Sequence, residues 1–378
     1  MTLKLISLAE KFQVITITGP RQSGKTTLVK AAFPKMAYVS LEEPDTRQFA
    51  LADPRGFLSN YPSGAILDEI QQAPDLFSYI QGRVDERQDV QYILTGSANF
   101  LLMEKVSQTL AGRTAILHLL PLSLLEIGSS GLTPENHIFK GHYPRLCDRG
   151  IPALDFYPSY IQTYVEKDLR LIKNITDLNT FIRFIQLCAG RIGQLINHTS
   201  LANDAGISPN TAKEWLSVLE SSYILYRLQP YHQTFNKRLV KSAKLFFYDT
   251  GLACSLLGIR SEEQVNFHYQ KGSLFENLII NEFIKRSYNR GENRHPYFWQ
   301  DHHGKKIDCL LENGTRIVPV EVKSGKTLST SYFDNLKYWN QLSGRGDEKG
   351  YVVYGGDESF YTSSGDLVSW RDLEKIQE

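Results

Sequence analysis

The chain has 378 residues, 42% of them hydrophobic, so it can form about two or three domains with packed cores. A formal net charge of +1 excludes a global electrostatic attraction to nucleic acid, and any such binding needs a local basic patch. The four cysteines are scattered and form no Cys-x-x-Cys pair, which excludes a disulfide framework and a zinc site of that kind. We find neither a secretory leader nor a run of about 18 apolar residues. We therefore expect a cytoplasmic protein that does not enter a membrane.

The first predicted strand, residues 14–18, leads into a glycine-rich loop. Its sequence, Gly-Pro-Arg-Gln-Ser-Gly-Lys-Thr, matches G-x-x-x-x-G-K-[ST], the phosphate-binding loop. The glycines let consecutive N–H groups point at a β-phosphate. We expect Lys25 to reach the β- and γ-phosphates and the Thr26 hydroxyl to ligate Mg²⁺. The predicted cofactors are ATP and Mg²⁺, and the predicted nucleotide-binding residues are Gly19, Pro20, Arg21, Gln22, Ser23, Gly24, Lys25, Thr26 and Thr27.

Two acids follow a second apolar run, Ala65 to Leu67. A continuous apolar run is typical of a buried parallel strand. Acids at the carboxyl end of such a strand face the crevice in which ligands of open α/β sheets bind. We expect Asp68 to belong to the Mg²⁺ shell and Glu69 to orient and polarise the attacking water. A strand that ends in a solvated acidic turn is the alternative interpretation.

Further strand candidates, at 37–41, 91–95 and 114–117, alternate with helical stretches up to about residue 125. This alternation predicts an α/β fold, a parallel sheet with helices on both faces. Strand 91–95 is expected next to both phosphate-handling strands, so Ser97, and after it Asn99, are candidates to contact the γ-phosphate. Capping of the following helix is the alternative role of these side chains.

Arg113 follows Gly112 at the predicted end of a helix. One interpretation is an arginine finger that reaches the γ-phosphate of a neighbouring subunit, which would require a homo-oligomer. The other is that the guanidinium offsets the helix C-terminal dipole. The sequence leaves both open.

Several of these segments together resemble prokaryotic AAA+ ATPases that carry a C-terminal domain of unknown function. The segments, in chain order, are Gly19 to Thr27, Ala65 to Ile70, Leu94 to Asn99, Leu110 to Arg113 and Pro121 to Glu126. The resemblance extends over most of the chain. It implies a P-loop ATPase domain, here residues 1–127, followed by a connecting helical segment over 128–198.

Residues 200–216 predict a helix–turn–helix. Leu201, Ala202 and Ala205 would form an apolar face, Gly206 would end the first helix, and Ser208 would cap the second. Strands at 223–228 and 245–248 would then complete a winged-helix domain over residues 199–262. Winged helices bind DNA, but they also bind proteins, so a protein partner is the alternative.

A basic segment lies between those two strands. Residues 237–244 contain the cations Lys237, Arg238, Lys241 and Lys244. Clustered cations with nearby aromatic side chains can bind a phosphate backbone. We predict DNA as the partner of this segment and of Asn210 and Lys213 in the second helix.

Two alternating runs, 305–311 and 315–323, flank Asn313-Gly314, a strong hairpin signal. With these two residues as the loop, Asp308 faces Pro319, and Asp308, Glu321 and Lys323 project from one side. The spacing from Asp308 to Glu321-Val322-Lys323 resembles the PD-(D/E)XK nuclease core, and Glu276 on the preceding helix matches an additional acid. This resemblance implies a restriction-endonuclease-like domain over 263–378 with a metal site at Glu276, Asp308 and Glu321, assisted by Lys323. A nuclease-like fold whose charged side chains only form ion pairs is the alternative.

Three functions fit these patterns. The first is a Mg²⁺-dependent ATPase coupled to DNA binding or processing, with Glu69, Lys25, Ser97 and Arg113 as catalytic candidates. The second is a nucleotide-dependent regulatory switch that acts through protein partners. The third is an ATP-gated, metal-dependent nuclease.

Overall fold

The structure is a computed structural model that describes residues 1–97, 106, 108–128, 131–164, 175, 177–232, 240–314, 316–344, 350–363 and 365–376. The chain divides into two compact units. The first contains Met1–Pro121, Ser221–Ile224 and Lys285–Asn293, and the second contains Leu122–Glu220, Leu225–Ile284 and Arg294–Glu378. Among the described helices, none is both long enough and apolar enough to cross a membrane.

A five-stranded parallel sheet forms the centre of the first unit. Its strands are β1 (Val14–Gly19), β2 (Tyr38–Ser40), β3 (Gly64–Asp68), β4 (Gln91–Ser97) and β5 (Thr114–His118), in the order β2-β3-β4-β1-β5. All four neighbouring pairs are parallel. The helices begin and end at Thr2–Ala9, Lys25–Ala32, Pro44–Ala52, Pro54–Ser59 and Leu76–Glu86. Because β4 lies between β1 and β3, the predicted position of the strand that ends at Ser97 is confirmed.

Both faces of this sheet are buried. Successive strand residues point to opposite faces, and along β3 Ala65 and Leu67 pack in one apolar cluster while Ile66 packs in another. In β1, Val14 and Ile15 divide between the same two clusters. The prediction of a parallel sheet covered on both faces is therefore confirmed.

The second unit begins with helices. They are Leu124–Ile127, Pro134–Lys140, Pro144–Asp148, Ala153–Tyr160, Leu178–Ala189, His198–Ala205, Pro209–Ser221, Thr250–Leu256, Glu262–Phe267, Lys271–Asn289 and Asp334–Ser343. Of these, the helix Pro209–Ser221 ends in the first unit with Ser221, and the helix Lys271–Asn289 belongs to the first unit from Lys285 on. In the predicted helix–turn–helix, Gly206 ends the first helix in the left-handed conformation (φ 76°). The Ser208 hydroxyl accepts from the Thr211 N–H at 3.0 Å, so the predicted cap of the second helix is present.

An eight-stranded mixed sheet follows in the second unit. Its strands are β6 (Leu225–Pro230), β7 (Lys244–Phe247), β8 (Tyr297–Gln300), β9 (Lys306–Asn313), β10 (Arg316–Lys323), β11 (Tyr351–Tyr354), β12 (Phe360–Thr362) and β13 (Gly365–Ser369). Their order is β12-β13-β11-β10-β9-β8-β6-β7. The strands β6 and β7 form the antiparallel pair expected after the helix–turn–helix, and β6 also pairs with β8 in parallel. The strands predicted for the winged helix, β6 and β7, thus belong to the same sheet as the β9–β10 hairpin, which was predicted for the nuclease-like domain.

The β9–β10 hairpin has a different register from the predicted one. Asn313 belongs to β9 and pairs with Arg316, so it does not lie in the loop. Pro319 pairs with Leu310, and the same register places Asp308 opposite Glu321. The pairing has moved by two residues, an even number, so the side chains keep their faces. Asp308 thus lies opposite Glu321, whereas the predicted register places it opposite Pro319, two residues from Glu321.

Candidate nucleotide-binding site and a second charged cluster

The backbone of the loop after β1 depends on the glycines at its two ends. Gly19 has φ 155°, and a Cβ there would lie 2.1 Å from the carbonyl oxygen of Leu119. Gly24 is left-handed (φ 93°) and precedes the helix Lys25–Ala32, while Gln22 is a non-glycine residue with φ 66°. A left-handed loop followed by a helix N-terminus is the backbone arrangement that binds phosphate groups.

Lys25 lies folded onto this loop. Its ammonium donates to the carbonyl oxygens of Gly19 at 3.1 Å and Pro20 at 2.8 Å. The residue is 5% exposed, and burial lowers the pKa of Lys25 to about 8, against the opposing effect of the Glu69 and Asp68 carboxylates. The cation predicted to reach a phosphate is therefore held at the loop by two acceptors that a phosphate can replace.

Asp68 accepts hydrogen bonds from three hydroxyl groups. Thr26 Oγ1 donates to Asp68 Oδ2 at 2.8 Å, Tyr38 donates to the same oxygen at 2.6 Å, and Thr95 donates to Oδ1. Burial, followed by the Asp68 carboxylate, raises the pKa of the Tyr38 phenol. Tyr38 and Thr95 lie on β2 and β4, the strands that flank β3. Neither residue belongs to the predicted site, although polar residues in the strands next to β3 are a signal that points to them.

The site has the oxygen atoms that Mg²⁺ prefers. The Thr26 hydroxyl and the Asp68 carboxylate, the two predicted ligands, are already in contact. In addition, the hydroxyl of Ser23 in the loop and that of Thr18 in β1 are buried without a hydrogen-bond partner among the described residues. These residues therefore fit a Mg²⁺–nucleotide complex.

Glu69 lies directly beyond β3 in a left-handed conformation (φ 56°, ψ 45°), which is uncommon for a residue other than glycine. The side-chain amide of Gln71 donates to Glu69 Oε2 and, at 3.2 Å, to Ser97 Oγ. Ser97 Oγ lies 3.5 Å from Glu69 Oε2. The structure thus brings the two catalytic candidates Glu69 and Ser97 together through Gln71, which the sequence analysis did not identify.

The remaining candidates of the first unit lie apart from this contact. Arg113 forms two hydrogen bonds to the Asp85 carboxylate, at 2.6 and 2.8 Å, and both side chains are exposed. Neither of the two predicted roles of Arg113 involves this pair. Exposed ion pairs contribute little to stability, so the pair does not prevent Arg113 from binding another group. Asn99 lies outside the described residues.

A second charged cluster lies in the second unit. Asp308 and Glu321 occupy opposite positions of the β9–β10 hairpin, and Glu276 lies on the helix Lys271–Asn289. Glu276, Asp308 and Lys323 line a cavity of about 440 Å³. The four residues predicted from the nuclease-like pattern are therefore neighbours in space.

Three lysines neutralise these three acids. Lys244 lies 3.1 Å from Glu276, Lys306 lies 2.8 Å from Asp308, and Lys323 lies 2.6 Å from Glu321 and 3.7 Å from Asp308. Burial, followed by the Asp308 carboxylate, raises the pKa of Glu321 to about 7. Burial acts in the same direction on the pKa of Asp308, but the lysine charges, Lys306 first, outweigh it and lower that pKa.

This lysine pairing conflicts with the predicted metal site. Within the described parts of the chain, no three His, Cys, Asp or Glu side chains are arranged to hold a metal ion. Oε1 of Glu321 is buried without a hydrogen-bond partner among the described residues. The acids are thus in place, but in this arrangement the cations that neutralise them are lysines.

The predicted DNA contacts differ in exposure. Asn210 and Lys213 are exposed on the helix Pro209–Ser221, and Lys241 is exposed before β7. Lys237 lies outside the described residues. Lys244, predicted as part of the DNA-binding segment, is 3% exposed and paired with Glu276, so we correct that prediction: its ammonium is not available to a DNA backbone. The reason is that Lys244 begins β7 and its side chain points into the unit.

Comparison with known proteins finds three domain models that match separate parts of the chain. Residues 11–128 match the model of an AAA domain, residues 133–263 that of a domain of unknown function (DUF8612), and residues 271–373 that of another domain of unknown function (DUF4143). Together with the loop and the Asp68–Thr26 contact, the first match supports a P-loop ATPase domain over residues 11–128, and the third match supports a C-terminal domain of unknown function over residues 271–373.

The relatives cover most of the chain. Uncharacterized proteins of Mycobacterium tuberculosis and Mycobacterium bovis are each 28% identical over 323 residues, which is 84% of this chain and 72% of theirs. An uncharacterized protein of Haemophilus influenzae is 22% identical over 398 residues, covering 93% of this chain and 96% of its own. Among solved structures, a Walker-type ATPase of Pyrococcus abyssi is similar with a TM-score of 0.44 and 12% identity, covering 68% of this chain and 94% of its own.

Proposed function

We propose that the protein is a Mg²⁺-dependent ATP hydrolase whose turnover is coupled to DNA bound by its second unit. The observation that carries the ATPase part is the Asp68 carboxylate, which accepts the Thr26 hydroxyl at 2.8 Å, with Glu69 next to it in the chain. One acid thus lies beside the phosphate-binding loop, and a second acid remains for the attacking water. A nucleotide-binding module without turnover has no need of that second acid.

Each residue of the candidate ATP site has a separate role in the proposed reaction. Lys25 neutralises charge on the β- and γ-phosphates, and Thr26 and Asp68 hold Mg²⁺, which when bound neutralises phosphate charge that develops in the transition state. Glu69 orients the water and accepts its proton. Ser97, at the end of β4, contacts the γ-phosphate. Arg113 can serve this reaction only by leaving Asp85, for instance for a neighbouring subunit of a homo-oligomer.

The first test measures ATP turnover and nucleotide affinity for the wild type, Glu69→Gln and Glu10→Gln, with and without DNA. Glu10 is an exposed acid at the end of the helix Thr2–Ala9, so it is a matched control. We expect Glu69→Gln to lose roughly 10²–10⁴-fold in turnover with unchanged ATP affinity. Turnover by Glu69→Gln at the wild-type rate would overturn the role of Glu69. Tight binding with negligible, DNA-indifferent turnover of the wild type would instead support a nucleotide switch that acts on a protein partner.

The proposed binding of DNA is tested by replacing exposed lysines inside and outside the predicted DNA surface. Lys213→Ala and Lys241→Ala remove exposed cations of the predicted DNA surface, and Lys337→Ala removes an exposed cation of the helix Asp334–Ser343. We expect the first two to weaken DNA binding and to reduce its dependence on salt concentration, since each lost phosphate contact lowers the salt slope by about one. If all three variants bind DNA with the affinity of the wild type, DNA is not the partner of this surface.

A metal-dependent nuclease is a second candidate function. The observation in its favour is the hairpin register that places Asp308 opposite Glu321, both beside Glu276 and Lys323. Its test is DNA cleavage in the presence of Mn²⁺ or Mg²⁺ by the wild type, Asp308→Asn and Glu312→Gln, an exposed acid of the same strand. Cleavage by the wild type and by Glu312→Gln that disappears in Asp308→Asn, with ATP turnover retained, would support a nuclease. Cleavage that persists in Asp308→Asn would exclude this site.

A further inference from the structure

The carboxylates of Asp308 and Glu321 each have one oxygen that neighbouring groups hold in place. Asp308 Oδ2 accepts the backbone N–H of Val322 at 3.1 Å and lies 3.7 Å from the Lys323 ammonium. Glu321 Oε2 lies 2.6 Å from the same ammonium and accepts the side-chain amide of Asn335 at 3.3 Å. These contacts orient both carboxylates.

The second oxygen of each carboxylate has fewer partners. Asp308 Oδ1 lies 2.8 Å from the Lys306 ammonium, and no other described residue donates a hydrogen bond to it. Glu321 Oε1 is buried, and no described residue donates a hydrogen bond to it. Residues directly opposite each other on an antiparallel pair have Cβ atoms about 4.5–5.5 Å apart, so these two oxygens can reach one ion.

A divalent cation suits such a pair of oxygens. Mg²⁺ is commonly bound through one or two carboxylates and keeps several water molecules, and Mn²⁺ prefers the same donors. The Lys306 ammonium already places a positive charge at the Asp308 oxygen that the metal needs. Two cations repel each other strongly at this distance, so the ammonium and a metal ion cannot occupy the site together.

The three lysines of the cluster differ in how firmly they are held. The Lys244 side chain is 4% exposed and pairs with Glu276, and the Lys323 side chain is 27% exposed and contacts both acids of the hairpin. The Lys306 side chain is 40% exposed and lines the cavity of about 440 Å³. A partly exposed ion pair is worth little, so Lys306 is the lysine that can leave its partner for water.

We propose that the Lys306 ammonium occupies the place of a divalent cation at Asp308 and Glu321, and that the site binds a metal only when this side chain has left. The proposal concerns the site of the second candidate function and does not depend on ATP hydrolysis. Lys306 is then a built-in competitor of the metal. Any metal-dependent chemistry at this hairpin requires its displacement first.

The experiment measures Mn²⁺ binding to the full chain in the absence of nucleotide and DNA, from the free Mn²⁺ signal in electron paramagnetic resonance. We expect Lys306→Ala to lower the dissociation constant for Mn²⁺ by at least about tenfold, because a unit charge next to the ion is removed. Lys305→Ala is the matched control, since it removes an exposed lysine of the adjacent position, and it should bind like the wild type. Lys306→Arg keeps the positive charge and should also bind like the wild type.

Two further variants assign the effect to this site and guard against misfolding. Lys306→Ala/Asp308→Asn should lose the gained Mn²⁺ binding, because the oxygen that Lys306 exposes is gone. Lys306→Gln removes the charge but keeps a side chain that can donate to Asp308, so it tests the proposal if Lys306→Ala does not fold. Mn²⁺ should raise the melting temperature of Lys306→Ala and of Lys306→Gln, and change that of the wild type much less.

The results separate this proposal from the functions proposed above. A wild type that binds Mn²⁺ as tightly as Lys306→Ala and Lys306→Gln would overturn it, and so would Lys306→Arg with the raised affinity of Lys306→Ala. Absence of Mn²⁺ binding in both neutral variants would overturn it as well, since the acids would then not form a cation site. None of these results bears on ATP turnover, because the measurement contains no nucleotide.

Discussion

Two side chains that the loop motif does not contain determine the environment of Asp68. Tyr38 and Thr95 reach its carboxylate from the strands on either side, while Thr26 reaches it from the loop. With three hydroxyl donors, the Asp68 oxygens have little freedom to rotate, and a ligand that enters the site meets a fixed acceptor. Pre-arranged groups of this kind avoid the cost of reorganisation when the ligand binds.

Lys25 provides a pH-dependence test of the same site. Burial lowers the pKa of Lys25 to about 8, below its usual value. Bound phosphates favour the ammonium form, so ATP binding above pH 8 must be accompanied by uptake of a proton. We expect full affinity below about pH 7.5 and an affinity that falls by at most about tenfold per pH unit above pH 8. The measurement is the dissociation constant for ATP between pH 7 and 9.5.

Lys25→Arg is the control for this pH effect, since a guanidinium stays protonated throughout the range. Its absolute affinity can differ, because arginine is not equivalent to lysine at a phosphate, so the comparison concerns the slope. The arginine variant should bind ATP with a dissociation constant that does not change from pH 7 to 9.5. A wild-type constant that is equally flat would show that Lys25 remains charged to pH 9.5, contrary to the expected effect of burial.

At the scale of elements, one buried ion pair connects β7 with the helix Lys271–Asn289. The side chains of Lys244 and Glu276 are only 4% and 11% exposed, and Nζ lies 3.1 Å from Oε1. Burying two charges costs desolvation energy that their attraction only partly offsets, so such a pair is sensitive to the loss of either partner. The pair therefore constrains how β7 and the helix pack.

The Lys244–Glu276 pair leads to a prediction for the free energy of unfolding. Lys244→Met should lower the free energy of unfolding by about 3–5 kcal/mol, because it leaves the Glu276 carboxylate buried without its main partner. The double variant Lys244→Met/Glu276→Leu should unfold within about 1 kcal/mol of the wild type, since apolar pairs of similar volume replace buried ion pairs without loss. Denaturant unfolding measures both values, with Lys337→Met as an exposed-lysine control. A double variant as unstable as the single one would show that Lys244 acts through packing, not through charge.

Some elements of the fold follow from the sequence, and others depend on contacts that the sequence does not show. Strand and helix positions in the first unit follow from periodicity and from the loop motif, both of which involve residues close in the chain. The hairpin register was wrong by two residues because Asn-Gly specifies a turn but does not specify which pairing the neighbouring strands prefer. Lys244 was assigned to DNA because the sequence does not show that a residue 32 positions away completes its contact.

The same limit applies to the candidate ATP site. Asp68, Glu69 and the loop residues belong to local motifs, so the sequence identifies them. Tyr38, Thr95 and Gln71 carry no motif of their own, and their relevance depends on strand order and on side-chain direction. Both become apparent only when the strand neighbours of β3 are known.

At the scale of the whole molecule, the first unit is not a continuous stretch of chain. Segments 221–224 and 285–293 belong to it together with residues 1–121. The His118 ring hydrogen bonds to the Tyr223 hydroxyl and packs against the Tyr288 ring at 4.9 Å between centroids. A Cβ on Gly291 would lie 2.5 Å from Lys4 Cε, so this glycine approaches the first helix closely. The matched AAA domain, residues 11–128, therefore lacks part of the unit in which it folds.

We expect a fragment of residues 1–128 to be less stable than the same unit in the full chain, with a lower melting temperature and weaker ATP binding. In the full chain, Tyr288→Ala removes a buried ring of the first unit and should destabilise it by about 3–5 kcal/mol. The control Tyr269→Ala removes a ring that is 79% exposed and should change little. Thermal unfolding of the fragment, of Tyr288→Ala and of Tyr269→Ala, each with and without ATP, measures these effects. The shift in melting temperature that ATP causes reports the stability of the unit that binds the nucleotide. A fragment that binds ATP and melts like the full chain would show that residues 1–128 fold independently of the two distant segments.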